Sequence, residues 1–361
     1  MSTEIVGQSD EMKSALFALQ VWKYKEGEVI SLMVHLGDRL GLYQAMAGRG
    51  PVSAATLSAA TGLHERWLLE WLRSQAAAWL IDTKDGDQFE LSPEAAEVLV
   101  EDTGSLFFAA GAFQGGVAPP DVVDRLADAF RTGIGLSYDD LGPSAAHTVE
   151  RMLGPWSRLA LVPVVLPALD GIVDRLTVGA RVADVGCGAG VALLTLAGAF
   201  PNSQFEGYDP SEHAIDRAQH KLEEGGLANV GLHRAGAAEL PPEPTFDLVL
   251  TLDCLHDMPH PAEALAAIRR SIKHDGTLLV KDIRSSVSWA ENLRNPLLAL
   301  MYGTSVSTCM SSALSEPGGA GLGTLGLHPQ LAEQMCREAG FTRFTPHDLE
   351  DPANLYYEVR P

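Results

Sequence analysis

The residues with the clearest chemical promise run Ala183-Asp184-Val185-Gly186-Cys187-Gly188-Ala189-Gly190. An apolar strand leads into three glycines at alternate positions, and a helix is expected to follow. Glycine lets the backbone turn sharply and lets a ligand approach with no Cβ in the way. The start of the next helix offers N–H groups that lack partners within the helix. A nicotinamide-binding turn would read GxGxxG, with its third glycine three positions after the second. Here Gly190 comes sooner, and Val191 stands where that motif has glycine. Asp184, ahead of the first glycine, is a further departure. A carboxylate there suits a cationic ligand and repels a pyrophosphate.

Two more features belong with this turn. Asp209 follows Gly190 by about 20 residues, at the end of the next expected strand, where a carboxylate can accept both ribose hydroxyls of an adenosine. The segment Leu252-Asp253-Cys254-Leu255-His256-Asp257-Met258 closes another expected strand. In a doubly wound sheet, ligands sit at the carboxyl ends of the strands, so His256 would face whatever the glycine turn binds.

Stepping outward, the elements that must position these groups are legible as alternation. Strands are expected at 181–185, 204–208, 230–234, 246–252 and 277–283, with helices at 191–199, 211–224 and 261–271. Strands alternating with helices mark a parallel sheet covered on both faces. Residues 341–349 and 355–359 read as two strands joined by a turn, forming an antiparallel edge. The first third differs. Residues 15–47 carry helical periodicity, with Gly41 as the clearest break. A short helix at 53–62 ended by Gly62, a longer one at 63–80, and a hairpin at 81–91 around Asp85-Gly86 suggest a winged helix. From 104 to 176 the chain reads as mostly helical, broken at Gly115-Gly116, Pro119-Pro120 and Gly142-Pro143.

Composition narrows the classes. The chain has 361 residues, 46 % hydrophobic and 20 % charged, with a formal net charge of −21. That charge repels a phosphate backbone, and no basic patch offsets it. The expected recognition helix carries Glu65 and Glu70 against Arg66 and Arg73, which also argues against DNA. The start, Met1 to Glu11, lacks the basic and apolar run of a signal peptide. No stretch reaches the ~18 apolar residues of a membrane span. A cytoplasmic protein is expected. Four cysteines, Cys187, Cys254, Cys309 and Cys336, are widely spaced, which predicts no disulfide framework and no zinc site.

Asp184 to Gly190, Asp209 and the strand order resemble the class I S-adenosylmethionine-dependent methyltransferases, from about residue 176 to the C-terminus. That cofactor carries a sulfonium and an ammonium group and no phosphate. The resemblance implies that Asp184, Gly186, Cys187 and Gly188 hold its methionine end. Asp209, followed by Pro210, would hold the ribose, and Gly236 and Ala237 the adenine. Gly236 stands where the family usually has Asp. Asp253 and Cys254 are also expected to touch the cofactor. Leu255-His256-Asp257 resembles the Leu-His-Asp-Trp segment of small-molecule O-methyltransferases acting on phenols and polyketides, with Met258 in place of Trp. This implies His256 as general base and Asp282 as the acid that orients it. The alternatives are a histidine that only shapes the pocket and an acid that caps a helix or faces solvent. Methyl transfer is an in-line displacement that depends on alignment, and a hydroxyl must also lose its proton. A general base is typically worth ~10²–10⁴-fold.

A closer similarity runs through Asp282-Ile283-Arg284, Glu291 to Pro296, Leu314-Ser315-Glu316 and Gly340 to Phe344. These resemble a group of actinobacterial, including mycobacterial, winged-helix methyltransferases. It implies an insertion at 285–327 that helps enclose an apolar cavity, with Leu297, Leu298, Met301, Tyr302 and Met310 as candidate liners. The expected whole is an α/β protein. A winged-helix dimerisation domain spans 1–100, a helical linker and lid 101–175, and a Rossmann-like, doubly wound seven-stranded methyltransferase domain 176–361. Expected partners are a small hydrophobic acceptor and a second copy of the chain, with S-adenosylhomocysteine as the product of the cofactor and neither nucleic acid nor membrane involved. The competing readings are N- or C-methylation on the same scaffold, and a winged-helix protein that senses the cofactor or a metabolite without turnover.

Overall fold

The computed structural model describes residues 10–101, 104–114 and 118–361. The polar start up to residue 9 and the expected break at Gly115-Gly116 lie outside the described residues. The chain divides into two compact units, Met1–Val117 and Ala118–Pro361. The segment 101–175 is therefore shared between the units, and its helices from Pro120 onward belong to the second.

The first unit opens with a 30-residue helix, Asp10–Arg39. It runs through Gly27 and Gly37 and stops at Gly41, whose φ of 65° no longer suits a right-handed helix. Gly37 stays because a Cβ there would lie 2.5 Å from the Trp71 ring. Helices Leu42–Met46, Ala54–Thr61 and Glu65–Ala77 follow. Gly62 turns left-handed and ends the second of these as expected, and Ser53 accepts from the Thr56 N–H at its start. Strands β1 (Asp82–Thr83) and β2 (Phe89–Glu90) form the wing. Tyr43, Leu57, Leu72 and Phe89 make the core. The early part of the long helix leaves Leu16, Phe17, Leu19, Trp22 and Tyr24 exposed.

The second unit is built on β3 (Arg181–Val185), β4 (Gln204–Asp209), β5 (Val230–Arg234), β6 (Phe246–Leu252), β7 (Ile272–Ile283), β8 (Arg343–His347) and β9 (Asn354–Arg360). Their order is β5-β4-β3-β6-β7-β9-β8. The first five are parallel, and β9 runs antiparallel to both β7 and β8. The closing pair thus sits at one edge, with β8 outermost. β7 starts at Ile272, earlier than the expected 277; Ile272 pairs with Phe246, and a register shift precedes the pairing of Thr277 with Leu248.

Side-chain alternation on β3 explains the two cores. Val182 joins Leu161, Leu166, Leu193 and Leu196 on one face. Ala183 and Val185 join Leu265, Ile268 and Phe341 on the other. The chain winds outward from β3 to β5, then returns to β6 beside β3. The carboxyl ends of β3 and β6 therefore flank a topological switch point, where a crevice must open. After β7, the insertion forms Trp289–Asn292, Leu298–Thr304, a π turn at Ser305–Cys309, and Met310–Ala313. Among the described residues no helix is long and apolar enough to cross a membrane.

Candidate active site

A cavity of about 340 Å³ opens at this switch point. Its floor is the glycine turn. Gly186, Gly188 and Gly190 have φ of 78°, 54° and 73°, a region that side chains rarely adopt. A Cβ at Gly186 would sit 2.7 Å from Cys254 Sγ, whereas one at Gly188 would project into open space. The turn is held by Asp209, which accepts from the Gly188 N–H at 2.8 Å and from the Ser211 N–H at 2.9 Å. Asp184 lines the cavity yet is 1 % exposed, and its Oδ1 has no hydrogen-bond partner in the protein. Burial, with Asp209 nearby, pushes its carboxyl up to about 7. An orphaned, buried carboxylate oxygen in a glycine cradle fits a cationic amino-acid end and offers nothing to a phosphate.

Asp253 and Cys254 leave β6 toward the same cavity. Cys254 Sγ donates to the Val185 carbonyl at 3.1 Å, which ties the ends of β6 and β3 together. The opposite wall is the helix Pro143–Leu159, which contributes Glu150, Leu153 and Trp156. Glu150 is held there by Arg217 and Lys221.

His256 and Asp282 meet directly. His256 Nδ1 lies 2.7 Å from Asp282 Oδ1, and both side chains are almost fully buried. Asp282 Oδ1 also accepts from the Ile283 N–H at 2.8 Å. Burial opposes a charged imidazole, but Asp282 outweighs it and holds His256 well above its ordinary value. Neither residue is part of the cavity wall; the neighbouring Asp257 and Met258 are. The Cys309 thiol, carried in by the insertion, lies within 4.8 Å of a His256 ring nitrogen.

Several expected contacts fall elsewhere. Gly236 and Ala237 begin the 3-10 turn after β5 and do not line this cavity. None of Leu297, Leu298, Met301, Tyr302 and Met310 lines it either. Leu298 is buried in packing, while Leu297 and Tyr302 are exposed. The insertion supplies Ser312, Ser315 and Glu316 instead. Apolar composition marked these residues for burial but not for a particular surface.

Known proteins bear on this geometry. Residues 176–340 match the family model "Methyltransferase domain", and residues 28–101 match "Rv2258c-like winged HTH domain". Residues 176–340 form a methyltransferase domain.

The domain is 32 % identical over 143 residues to the trans-aconitate 2-methyltransferase of Methylobacterium nodulans, covering 40 % of this chain and 46 % of that one. The chain spans about half the length of the curated relatives it matches. Among solved structures, human N-acetylserotonin methyltransferase with S-adenosylmethionine has a TM-score of 0.65 at 17 % identity, covering 98 % of this chain and 99 % of that one. Mitomycin 7-O-methyltransferase has a TM-score of 0.64 at 21 % identity, covering 97 % and 99 %. The fold is that of the S-adenosylmethionine-dependent methyltransferases.

Tyr138, which precedes the methyltransferase domain in sequence, and Asp257 and Lys281 within it also shape the cavity. Asp257 sits inside the Leu-His-Asp segment. Lys281 stands beside Asp282 in an otherwise apolar strand, a signal that could have marked it. Tyr138, distant in sequence, carries no signal at all. Lys281 is 2 % exposed and ion-paired to Asp253, and its ammonium lies 4.4 Å from the centre of the Trp156 ring. Asp253 takes a φ of 54° and also accepts from Asn354 Nδ2 at 2.5 Å. Replacing Lys281 by Met leaves that carboxylate buried beside the cavity without its countercharge. We expect a loss of about 3–5 kcal/mol in urea unfolding, partly recovered in the Lys281→Met/Asp253→Asn double variant. An unchanged midpoint in the single variant would show that the pair does not support the fold.

Proposed function

We propose that this chain transfers a methyl group from S-adenosylmethionine to a hydroxyl of a small, largely apolar molecule, with His256 as the proton acceptor. The buried His256–Asp282 pair behind the cavity wall carries this reading. Several relatives are ubiquinone biosynthesis O-methyltransferases, which is in keeping with it.

In this reading Asp184 and the turn Gly186-Cys187-Gly188 receive the ammonium and carboxylate end of the cofactor, and Asp209 receives the ribose hydroxyls. The cofactor supplies a methyl group already activated by a positive sulfur. The protein must align the acceptor and remove its proton. Asp282 fixes one nitrogen of His256, which leaves the other as the acceptor. To take a substrate proton, that nitrogen must exchange its Cys309 contact for the hydroxyl. The raised imidazole value makes His256 a strong acceptor once it is neutral.

His256→Ala is expected to lower kcat by about 10²–10⁴-fold while calorimetry shows unchanged cofactor affinity. Phenols and polyketides with free hydroxyls, assayed with methyl-labelled cofactor, are the acceptors to test. Unchanged turnover would exclude the base role and favour N- or C-methylation. Cofactor binding with no label transferred to any acceptor would favour a sensor.

Asp184 gives an independent check. Its carboxyl, raised to about 7, is largely protonated below that pH and must ionise to pair with an ammonium. Cofactor affinity should therefore strengthen about tenfold per pH unit up to about 7 and level off above it. Asp184→Asn should bind weakly and without that slope. A pH-independent affinity in the native chain would refute the pairing.

The exposed apolar face of the Asp10–Arg39 helix supports a homodimer. Phe17, Trp22 and Tyr24 are 66 %, 69 % and 72 % exposed, and contiguous patches of this kind mark association surfaces. Light scattering at micromolar concentration should report a dimer that Phe17→Glu/Trp22→Glu converts to monomer. A native monomer would exclude it. The net charge of −21 opposes nucleic acid as a partner.

A further inference from the structure

His256, Asp257 and Cys309 come from distant parts of the sequence. The first two lie in the 3-10 turn that follows β6, and the third closes the π turn of the insertion. One ring nitrogen, one carboxylate oxygen and the thiol sulfur of these residues all lie within 4.8 Å of one another. A tetrahedral zinc holds such ligands roughly 3.5 Å apart, so closure asks for a movement of about an ångström.

The surroundings are those of a metal site. Ligating histidines almost always donate their second ring N–H to a carboxylate, which fixes the ring and raises its basicity. His256 has this partner in Asp282 at 2.7 Å. Ligating carboxylates are in turn hydrogen-bonded, and Tyr138 donates to Asp257 Oδ2 at 2.8 Å. The Tyr138 hydroxyl also lies 3.9 Å from Cys309 Sγ. Asp257 and Tyr138 line the cavity, so an ion has a path in and a side open to it.

We propose that His256, Asp257 and Cys309 bind one zinc ion, with Asp282 and Tyr138 as supporting partners and a fourth position facing the cavity. The donor set selects the metal. Thiolate and imidazole together favour zinc over magnesium or calcium, which take oxygen ligands. The widely spaced cysteines hid the site from sequence, because its ligands converge only when the insertion folds back over the end of β6. Resting on the function proposed above, the ion has a further effect. It occupies the His256 nitrogen that would accept the substrate proton, so zinc inhibits methyl transfer and a chelator restores it.

The full chain, stripped with a chelator, is titrated with zinc against a chromophoric chelator and with cobalt(II) followed by absorbance. One zinc per chain is expected, with a thiolate-to-cobalt charge-transfer band in the near ultraviolet. Cys309→Ser should abolish the band and weaken zinc at least about tenfold. Asp282→Asn, which removes a supporting partner and no ligand, should weaken zinc about 10–100-fold. If either variant misfolds by circular dichroism, alkylation of the native chain decides, read by peptide mass. Zinc protecting Cys309 supports the site, and no protection overturns it. No retained zinc, or equal zinc on Cys309→Ser, also overturns it. None of these readouts needs turnover. Zinc binding alongside unchanged turnover in His256→Ala would sink the base role and leave the site standing. Absent zinc alongside lost turnover would do the reverse.

Discussion

The architecture at the strand ends depends on one costly placement, the carboxylate of Asp184. It sits on an interior strand whose neighbours Val182, Ala183 and Val185 are at most 1 % exposed. A buried carboxylate without a partner disfavours its own charge by several kcal/mol. Nothing local satisfies its Oδ1. The surrounding parallel strands hold it in place all the same, because moving it would shift β3 against both β4 and β6. The result is an acid that waits for a cation. Asp209 contrasts with it. Both of its oxygens accept backbone N–H groups, so it shapes the turn that brings a ligand to Asp184.

The other acids nearby are settled by different means. Asp253 pairs with Lys281 and Asn354, and its left-handed backbone is stabilised by those contacts. Asp282 pairs with His256, and Asp257 accepts from Tyr138. Each partner comes from a different part of the chain: β7, β9, the end of β6, and the segment before the Pro143–Leu159 helix. A cavity rich in carboxylates is thereby stable without being neutral throughout. Its unpaired charge is concentrated beside the glycine turn, where a cationic sulfonium compound is favoured.

The turn was readable because glycine is the one residue type that tolerates positive φ at three alternate positions. The end of the helix 54–61 was readable for a similar reason, since Gly62 marks it. The sheet followed from strand–helix alternation, which sequence carries directly. The early start of β7 did not, because Lys273-His274-Asp275-Gly276 reads as a polar turn, and it is an irregularity between the paired Ile272 and Thr277. The expected liners of the insertion lie outside this cavity's wall for a physical reason. Burial is a property of a residue type, but the surface it is buried against depends on how short helices fold back. There the polar Ser312, Ser315 and Glu316 meet the cavity, while Leu298 packs inward.

That folding back gives the insertion a chemical part as well as a structural one. The Gly323 N–H donates to the His256 carbonyl at 3.0 Å, so the insertion fixes the backbone of the histidine. Cys309 lies within 4.8 Å of a His256 ring nitrogen. Strand ends alone would present His256 to any molecule in the crevice. With the insertion in place, access to that nitrogen is controlled by a thiol and by the residues that carry it. Under the proposed function, the common sheet places the cofactor, and selectivity for the acceptor falls to residues 285–327 and Tyr138. A change in acceptor should accordingly map to these segments and leave the glycine turn untouched.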